Sequence, residues 1–132
     1  MWYYNGEIFD ESLVEKYFGF VYIITNNITG KKYVGKKAFW FTKTKTIKGK
    51  KKRQKIPSDW KDYWSSSEEL KEDVKSLGQN NFKREIVRLC LTKGTASYFE
   101  AKLQFLYEVL EKPEQWYNAY IQCRIHRSHL KL

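Results

Sequence analysis

Residues 18–36 read FGFVYIITNNITGKKYVGK, and this stretch decides the fold. Its first part, residues 18–25, is rich in the aromatic and β-branched side chains that favour strands. Residues 26–30 carry strong turn formers, and residues 31–36 return as a second extended segment. The pattern predicts an antiparallel β-hairpin.

Two tyrosines of this hairpin are candidate functional residues. Side chains alternate between the faces of a strand, so Tyr22 and Tyr33 are each placed on a defined face. With the turn centred near residues 27–28, Tyr22 is expected opposite Tyr33, with both hydroxyls pointing the same way. Such a pair can share a water or a phosphate oxygen. The alternative is a pair of half-buried sheet aromatics with hydroxyls at the rim.

The end of the second strand carries a glycine followed by two lysines. Gly35 leaves room for another backbone or a ligand to approach closely. Lys36 and Lys37 supply positive charge beside that opening. A plain solvated strand end is the competing interpretation of the same three residues.

Further elements follow the serine run. Ser65 or Ser66 is expected to cap a helix together with a glutamate three residues on, and that helix ends at Gly78. Residues 82–91 predict a third strand, and a second helix is expected from about residue 96 to 111. The sequence therefore predicts an α+β domain, with helices flanking a small antiparallel sheet of about three strands.

The chain is strongly basic. It carries 25 lysines and arginines against 15 acidic residues, a net charge of +10. This balance is typical of a nucleic-acid-binding domain, although membranes and acidic proteins also attract such charge. Residues 43–55 hold eight positive charges and no acid, and we expect a mobile loop there unless a partner neutralises it. The candidate DNA-binding lysines are Lys37, Lys43, Lys45, Lys50, Lys51, Lys52 and Lys55.

Other function classes are disfavoured. Mean hydropathy is −0.70, and no apolar stretch approaches a membrane span, so no membrane partner is expected. The first residues show no secretory signal, which favours an intracellular location. Cys90 and Cys123 form no metal-binding pattern and are expected to be reduced core residues. The spacing of His126 and His129, without a nearby carboxylate or cysteine, does not favour a metal site.

Glu100 is the most informative acidic residue. It lies at the border of the apolar stripe of the second predicted helix, where a carboxylate is partly desolvated and needs a cation. A divalent metal or an arginine is the natural partner. A capping box with Ser97 is the competing structural explanation.

The hairpin also resembles a known family. Phe20-Val21-Tyr22, followed by Tyr33-Val34-Gly35, is similar to the paired motifs of the GIY-YIG nucleases. The capped helix, the strand FKREIVRL, the helix with one glutamate and a late asparagine follow in the order of that family. The segments YVGKKAFW and SYFEAKLQF further resemble stand-alone, phage-encoded members. The resemblance covers roughly residues 18–121.

This resemblance implies cleavage of DNA phosphodiester bonds with one divalent metal ion, Mg²⁺ or Mn²⁺. Its two motif tyrosines correspond to Tyr22 and Tyr33, one of which helps to deprotonate the attacking water. The implied metal ligand is Glu100, with Asn118 in a supporting role. The family arginine that steadies the phosphate has no direct counterpart, because its usual offset falls on Lys43. Arg53 is assigned that role, with Lys36 as an additional phosphate or water contact.

We therefore expect residues 1–132 to form a single GIY-YIG-like nuclease domain with its core at about 18–121. The expected function is a metal-dependent endonuclease acting on double-stranded DNA, in the cytoplasm of an infected host cell if phage-encoded. One alternative is a nucleic-acid-binding module that retains the fold without cleavage, and a weaker one is a basic adaptor for an acidic protein. With 132 residues, we expect no separate recognition domain beside the nuclease domain. Loose specificity, a homodimer or a partner protein therefore remain as routes to target choice.

Overall fold

The computed structural model describes all 132 residues. Seven strands are present: β1 (Trp2–Tyr4), β2 (Glu7–Ile8), β3 (Gly19–Asn26), β4 (Lys32–Ala38), β5 (Trp40–Ile47), β6 (Lys50–Pro57) and β7 (Phe82–Cys90). Two α-helices are α1 (Glu68–Leu77) and α2 (Lys93–Leu106). Short 3₁₀ helices occupy Glu11–Lys16, Trp60–Asp62, Gln79–Asn81 and Arg127–His129.

The main sheet has five strands in the order β2-β1-β7-β3-β4. It is mixed, because β1 runs parallel to β7 while the other neighbours are antiparallel. The α+β class is confirmed, but the predicted sheet of about three antiparallel strands was too small. The additional strands come from the N-terminus, where Asn5 and Gly6 both adopt positive φ and reverse the chain between β1 and β2.

The predicted hairpin is present as β3 and β4, but its register differs from the expected one. Tyr22 pairs with Gly35, and Tyr33 pairs with Ile24. Tyr22 and Tyr33 are therefore diagonal neighbours on one face, not direct opposites. The turn explains the shift: the Asn26 side chain accepts hydrogen bonds from Ile28 and Thr29, and Gly30 takes a positive φ, so the loop is longer than assumed.

The sheet separates two apolar layers. The larger layer holds a dense set of aromatic rings from β1, β3 and the segments around Phe39 and Trp60, and α1 inserts Leu70 and Val74 into it. The smaller layer lies under α2 and includes Val21, Val34, Cys90, Ala96, Val109 and Trp116. Because both faces of β3 are buried, its backbone and side chains are fixed from two sides.

The basic segment is not a loop. Strands β5 and β6 pair along their full length as a two-stranded ribbon, here called the arm, which contradicts the expected mobile loop at residues 43–55. Lys48 and Gly49 connect the strands, and both have positive φ, as a two-residue hairpin turn requires. The alternation of threonine and lysine in β5 suits a strand that is solvated on both faces.

The helix ends also differ from the expected ones. Ser67, not Ser65 or Ser66, caps α1 by accepting from the Leu70 backbone N–H at 3.2 Å. Helix α2 begins after Thr92 and ends at Leu106, because Glu108 takes a positive φ and the Val109 N–H donates to the Gln104 carbonyl.

Two smaller features complete the description. Cys90 is buried as expected, but Cys123 is exposed, so the expectation of two core cysteines was wrong for one of them. Neither α-helix has the length and apolarity needed to cross a membrane.

Candidate active site

A cleft of about 740 Å³ lies beside β4. It is lined by β3 and β4, by the serine run before α1, by α2 and by residues 117–124. Five residues singled out from the sequence meet in it: Tyr22, Tyr33, Lys36, Glu100 and Asn118. They come from four separated parts of the chain, which the sheet and α2 bring together.

Tyr22 lies at the most buried position of this cleft. Its side chain is only 1% exposed, and a Cβ atom added at Gly35 would collide with the Tyr22 hydroxyl and ring. The missing side chain of Gly35 is therefore what allows the phenol to lie across β4. Burial raises the pKa of Tyr22 well above its usual value of 10, and the nearby tyrosines and Glu100 act in the same direction.

Tyr33 is the more accessible of the two hairpin tyrosines. Its ring centroid lies 6.2 Å from that of Tyr22, and its hydroxyl is 3.2 Å from the Ser66 hydroxyl. Burial raises the pKa of Tyr33, and the hydrogen bond with Ser66 partly offsets that effect. At neutral pH both phenols are therefore protonated in the absence of bound ions.

Lys36 connects β4 with α2. Its Nζ donates a hydrogen bond of 2.6 Å to the Ser97 Oγ, one helical turn before Glu100. Because Ser97 binds this lysine, and because Thr92 caps α2, the alternative of a Ser97–Glu100 capping box is wrong. The lysine thus places a positive charge between the tyrosines of the hairpin and the helix.

Glu100 is a partly buried carboxylate without an ion-pair partner. None of the six salt bridges in the protein includes it. Burial raises the pKa of Glu100, whereas the charge and the backbone N–H of Lys36 oppose the increase. A partly desolvated carboxylate in this state gains from a cation.

The donor set fits a hard divalent cation. No group of three histidine, cysteine or acidic residues is assembled anywhere in the chain. Magnesium is commonly held by one or two carboxylates, with water and substrate phosphate as the remaining ligands. Glu100 supplies such a carboxylate, and the hydroxyl groups of Tyr33 and Ser66 line the same cleft.

Asn118 secures the edge of the sheet beside the cleft. Its Oδ1 accepts from the Val34 backbone N–H at 3.0 Å, and its Nδ2 donates to the Val34 carbonyl at 2.8 Å. Lys32 makes two backbone hydrogen bonds to the same segment, at Gln115 and Tyr117. The Asn118 side chain therefore pairs with the outer edge of β4 as the backbone of a neighbouring strand would.

Comparison with known proteins identifies the family. A family model described as "Putative endonuclease segE, GIY-YIG domain" matches residues 2–121. The chain belongs to the GIY-YIG family. This family is one of nuclease domains, and the family resemblance seen in the hairpin is confirmed. No curated protein and no solved structure gives a significant match.

The GIY-YIG domain does not bring every predicted site residue to the cleft. Arg53 lies in β6, on the arm, paired with Thr44. The lysines at 43, 45, 50, 51, 52 and 55 also belong to the arm. Lys37 is held 2.6 Å from Asp59 and 4.1 Å from the centre of the Tyr63 ring, and its side chain is only 13% exposed.

Sequence reasoning missed other residues that line the cleft of the GIY-YIG domain. Tyr63 packs edge-on against Tyr22 at 6.1 Å between ring centroids, and Ser66 contacts Tyr33. Arg124 is exposed and is the only arginine lining the cleft. No local signal marks these residues, because the tertiary fold alone brings them beside β4.

Proposed function

We propose that this GIY-YIG domain is an endonuclease that hydrolyses phosphodiester bonds of double-stranded DNA with one divalent cation, Mg²⁺ or Mn²⁺. One observation carries the proposal: the cleft unites an unpaired, partly buried carboxylate with two tyrosine hydroxyls and a lysine. Each group has a use in cleaving a phosphodiester, and the net charge of +10 attracts the polyanionic substrate.

Glu100 is the residue that would hold the cation. A cation bound there supplies polarisation of the phosphoryl oxygen and stabilisation of the leaving oxygen. The position on α2 suits this role, because the helix is anchored to the sheet through the layer that contains Ala96 and Val34. The carboxylate is therefore held in place before the cation and the scissile phosphate bind.

Tyr33 and Lys36 are the groups placed to act on the attacking water and the phosphate. The hydroxyl of Tyr33 is reachable from the cleft, whereas Tyr22 is almost fully buried and serves to position its neighbour. The ammonium of Lys36 offsets the negative charge that develops on the phosphate during attack. A phosphate group would replace Ser97 as one of its hydrogen-bond acceptors.

Arg124 is the better candidate for the phosphate-steadying arginine. A guanidinium must reach the cleft to bind the scissile phosphate, and Arg124 lines the cleft while Arg53 lies on the arm. A guanidinium presents several N–H donors in a plane that matches phosphate oxygens. The assignment moves Arg53 from catalysis to DNA contact.

A cleavage assay with a binding control tests the proposal. Supercoiled plasmid is incubated with Mg²⁺ or Mn²⁺ and the parent, Glu100→Gln or Glu114→Gln. The last is a matched control, since Glu114 is exposed and outside the cleft. Removal of the metal-holding carboxylate should slow cutting on the order of 10³-fold, equivalent to about 4 kcal/mol, without weakening DNA binding.

Two outcomes would overturn the proposal. If Glu100→Gln cuts as fast as the parent, the cation is not held by Glu100. If the parent shifts DNA on a gel but leaves it intact with either metal, the domain is a binding module without cleavage.

A further inference from the structure

The arm has features that the cleft does not explain. None of residues 40–57 is buried, although β5 and β6 pair over eight residues each. At about 3.3 Å per residue the ribbon is about 26 Å long. An isolated two-stranded ribbon is marginally stable in water, so a ribbon with no core of its own is suited to a partner.

The register divides the arm into two different faces. Paired residues share a face, and Thr44 pairs with Arg53 while Lys45 pairs with Lys52. The threonine face comprises Thr42, Thr44 and Thr46 on β5 with Lys51, Arg53 and Lys55 on β6. The lysine face comprises Phe41, Lys43, Lys45 and Ile47 on β5 with Lys50, Lys52, Gln54 and Ile56 on β6.

The positive charge of the arm indicates a polyanionic partner. Lys45 lies directly opposite Lys52, and like charges across a strand pair destabilise it. Residues 43–55 contain no acid that would relieve this repulsion. A partner rich in phosphate would convert the repulsion into attraction and release counterions.

The width of a two-stranded ribbon indicates which nucleic-acid groove the arm can enter. The major groove of B-form DNA is about 12 Å wide and admits a two-stranded β-ribbon, whereas the corresponding groove of A-form RNA is deep and narrow. We propose that the arm enters the major groove of duplex DNA with its threonine face toward the base edges, and that it is the target-recognition element of this domain. The proposal rests on the DNA-cutting function given above and deepens it.

The two faces carry different recognition chemistry. Arg53 can donate two hydrogen bonds to the O6 and N7 acceptors of guanine, and threonine offers a hydroxyl and a methyl group to base edges. The lysine face offers ammonium groups on long flexible stems, which reach the phosphates flanking the groove and carry no base information. Arg53 is therefore a specificity residue of the arm.

Binding can be measured without cleavage. Full-length Glu100→Gln protein is titrated with a fluorescent 30-base-pair DNA duplex in EDTA, over a series of salt concentrations. Changing Lys43, Lys45 and Lys52 together to Gln should reduce the slope of log K against log salt by about 0.9 for each phosphate that the variant no longer neutralises. The matched control changes Lys16, Lys75 and Lys102, which are exposed and lie outside the arm. Equal slopes for the two triple variants would overturn the proposal.

Modified duplexes identify the groove. Replacing guanine by 7-deazaguanine removes an acceptor from the major groove, and replacing it by inosine removes the minor-groove amino group. The first change should weaken binding at least several-fold, and the second should have little effect. The opposite pattern, no effect of either change, or equal affinity for duplex RNA would each contradict major-groove binding.

The assignment of the threonine face has its own variant. Arg53→Lys keeps the charge and loses the planar pair of donors. In selections from random duplexes, the parent should enrich guanine at defined positions and Arg53→Lys should lose that enrichment with little change in salt slope. Unchanged selection would overturn the face assignment. Since no readout here requires cutting, a failure of the nuclease proposal and a failure of the arm proposal are distinguishable.

Discussion

The cleft and the arm follow each other directly in the chain, yet they are built in opposite ways. Strand β4 lies between β3 and the segment at residues 115–118, and its Val34 is completely buried. Strand β5 begins two residues after β4 ends, and none of its residues is buried. Phe39 lies between the end of β4 and the start of β5. Its ring is fully buried among aromatic side chains and fixes this junction.

This difference separates two requirements of the proposed reaction. Groups that act on a phosphate must be held within fractions of an ångström, and only packing from two sides supplies that precision. Groups that grip a long polyanion need reach and charge more than rigidity. Changes in the cleft should therefore alter the cutting rate, and changes in the arm should alter affinity and target choice.

Among changes in the cleft that leave the proposed metal ligand Glu100 in place, the largest expected effect comes from Gly35→Ala. The added methyl group would collide with Tyr22 and displace its ring from β4. Displacement of the phenol on the order of 1 Å should lower the rate of plasmid cutting about 100-fold. Affinity for duplex DNA, measured by anisotropy in EDTA, should stay within twofold of the parent because the arm is untouched. Cutting at the full rate would show that the position of Tyr22 does not matter.

The next effect concerns stability. Asn118→Leu keeps the number and branching of the side-chain heavy atoms but leaves the Val34 N–H without its acceptor, whereas the Val34 carbonyl keeps a bond of 3.3 Å from Gln104. A buried N–H left unpaired should lower the free energy of unfolding by about 1–3 kcal/mol, measured by urea denaturation. The contrasting variant in the arm is Thr46→Val, which should stay within about 0.5 kcal/mol of the parent. Similar losses for both would contradict the contrast between cleft and arm.

The smallest expected effect is an increase in melting temperature, for Glu100→Gln in the absence of metal. Burial raises the pKa of Glu100 in the folded protein, so folding favours the protonated form of this carboxyl group. The stability that the protonated group contributes is therefore lost as the pH rises through its folded pKa. Without metal, Glu100→Gln should therefore melt slightly higher than the parent at pH 7, and the difference should vanish below pH 4. Mg²⁺ should raise the melting temperature of the parent but not of the variant. A lower melting temperature for the variant in EDTA would show that Glu100 is a structural residue.

Much of the main sheet and of helix α1 could be predicted, because the sequence patterns that specify these elements are local. The alternation in residues 18–36, the end of α1 at Gly78 and the strand of residues 82–90 each depend on neighbours in sequence. The predicted register of the hairpin was wrong, since the register depends on how the Asn26 side chain folds the loop. The parallel pairing of β1 with β7 joins residues more than 80 positions apart, and no local pattern encodes it.

The arm and part of the cleft could not be predicted from amino-acid composition. A dense run of positive charge usually indicates a solvated loop, and here the alternating Thr-Lys pattern and the Lys48–Gly49 turn were the better guides to a ribbon. In the cleft, Tyr22, Tyr33, Lys36 and Glu100 could be singled out from motifs and spacing. Arg124 could not, because only the path of the C-terminal segment brings it there.

The division of labour between cleft and arm can be tested in one experiment with two proteins. The first is Glu100→Gln, and the second replaces residues 42–55 by Asn-Gly, a pair that favours a tight hairpin turn between Phe41 and Ile56. For each protein, the dissociation constant for duplex DNA and the single-turnover cutting rate at saturating DNA and Mg²⁺ are measured. We expect Glu100→Gln to lose the rate and keep the affinity, and the shortened protein to lose at least tenfold in affinity and keep a rate within a few-fold of the parent. A shortened protein that binds as tightly as the parent, or two proteins that lose rate and affinity together, would contradict this division of labour.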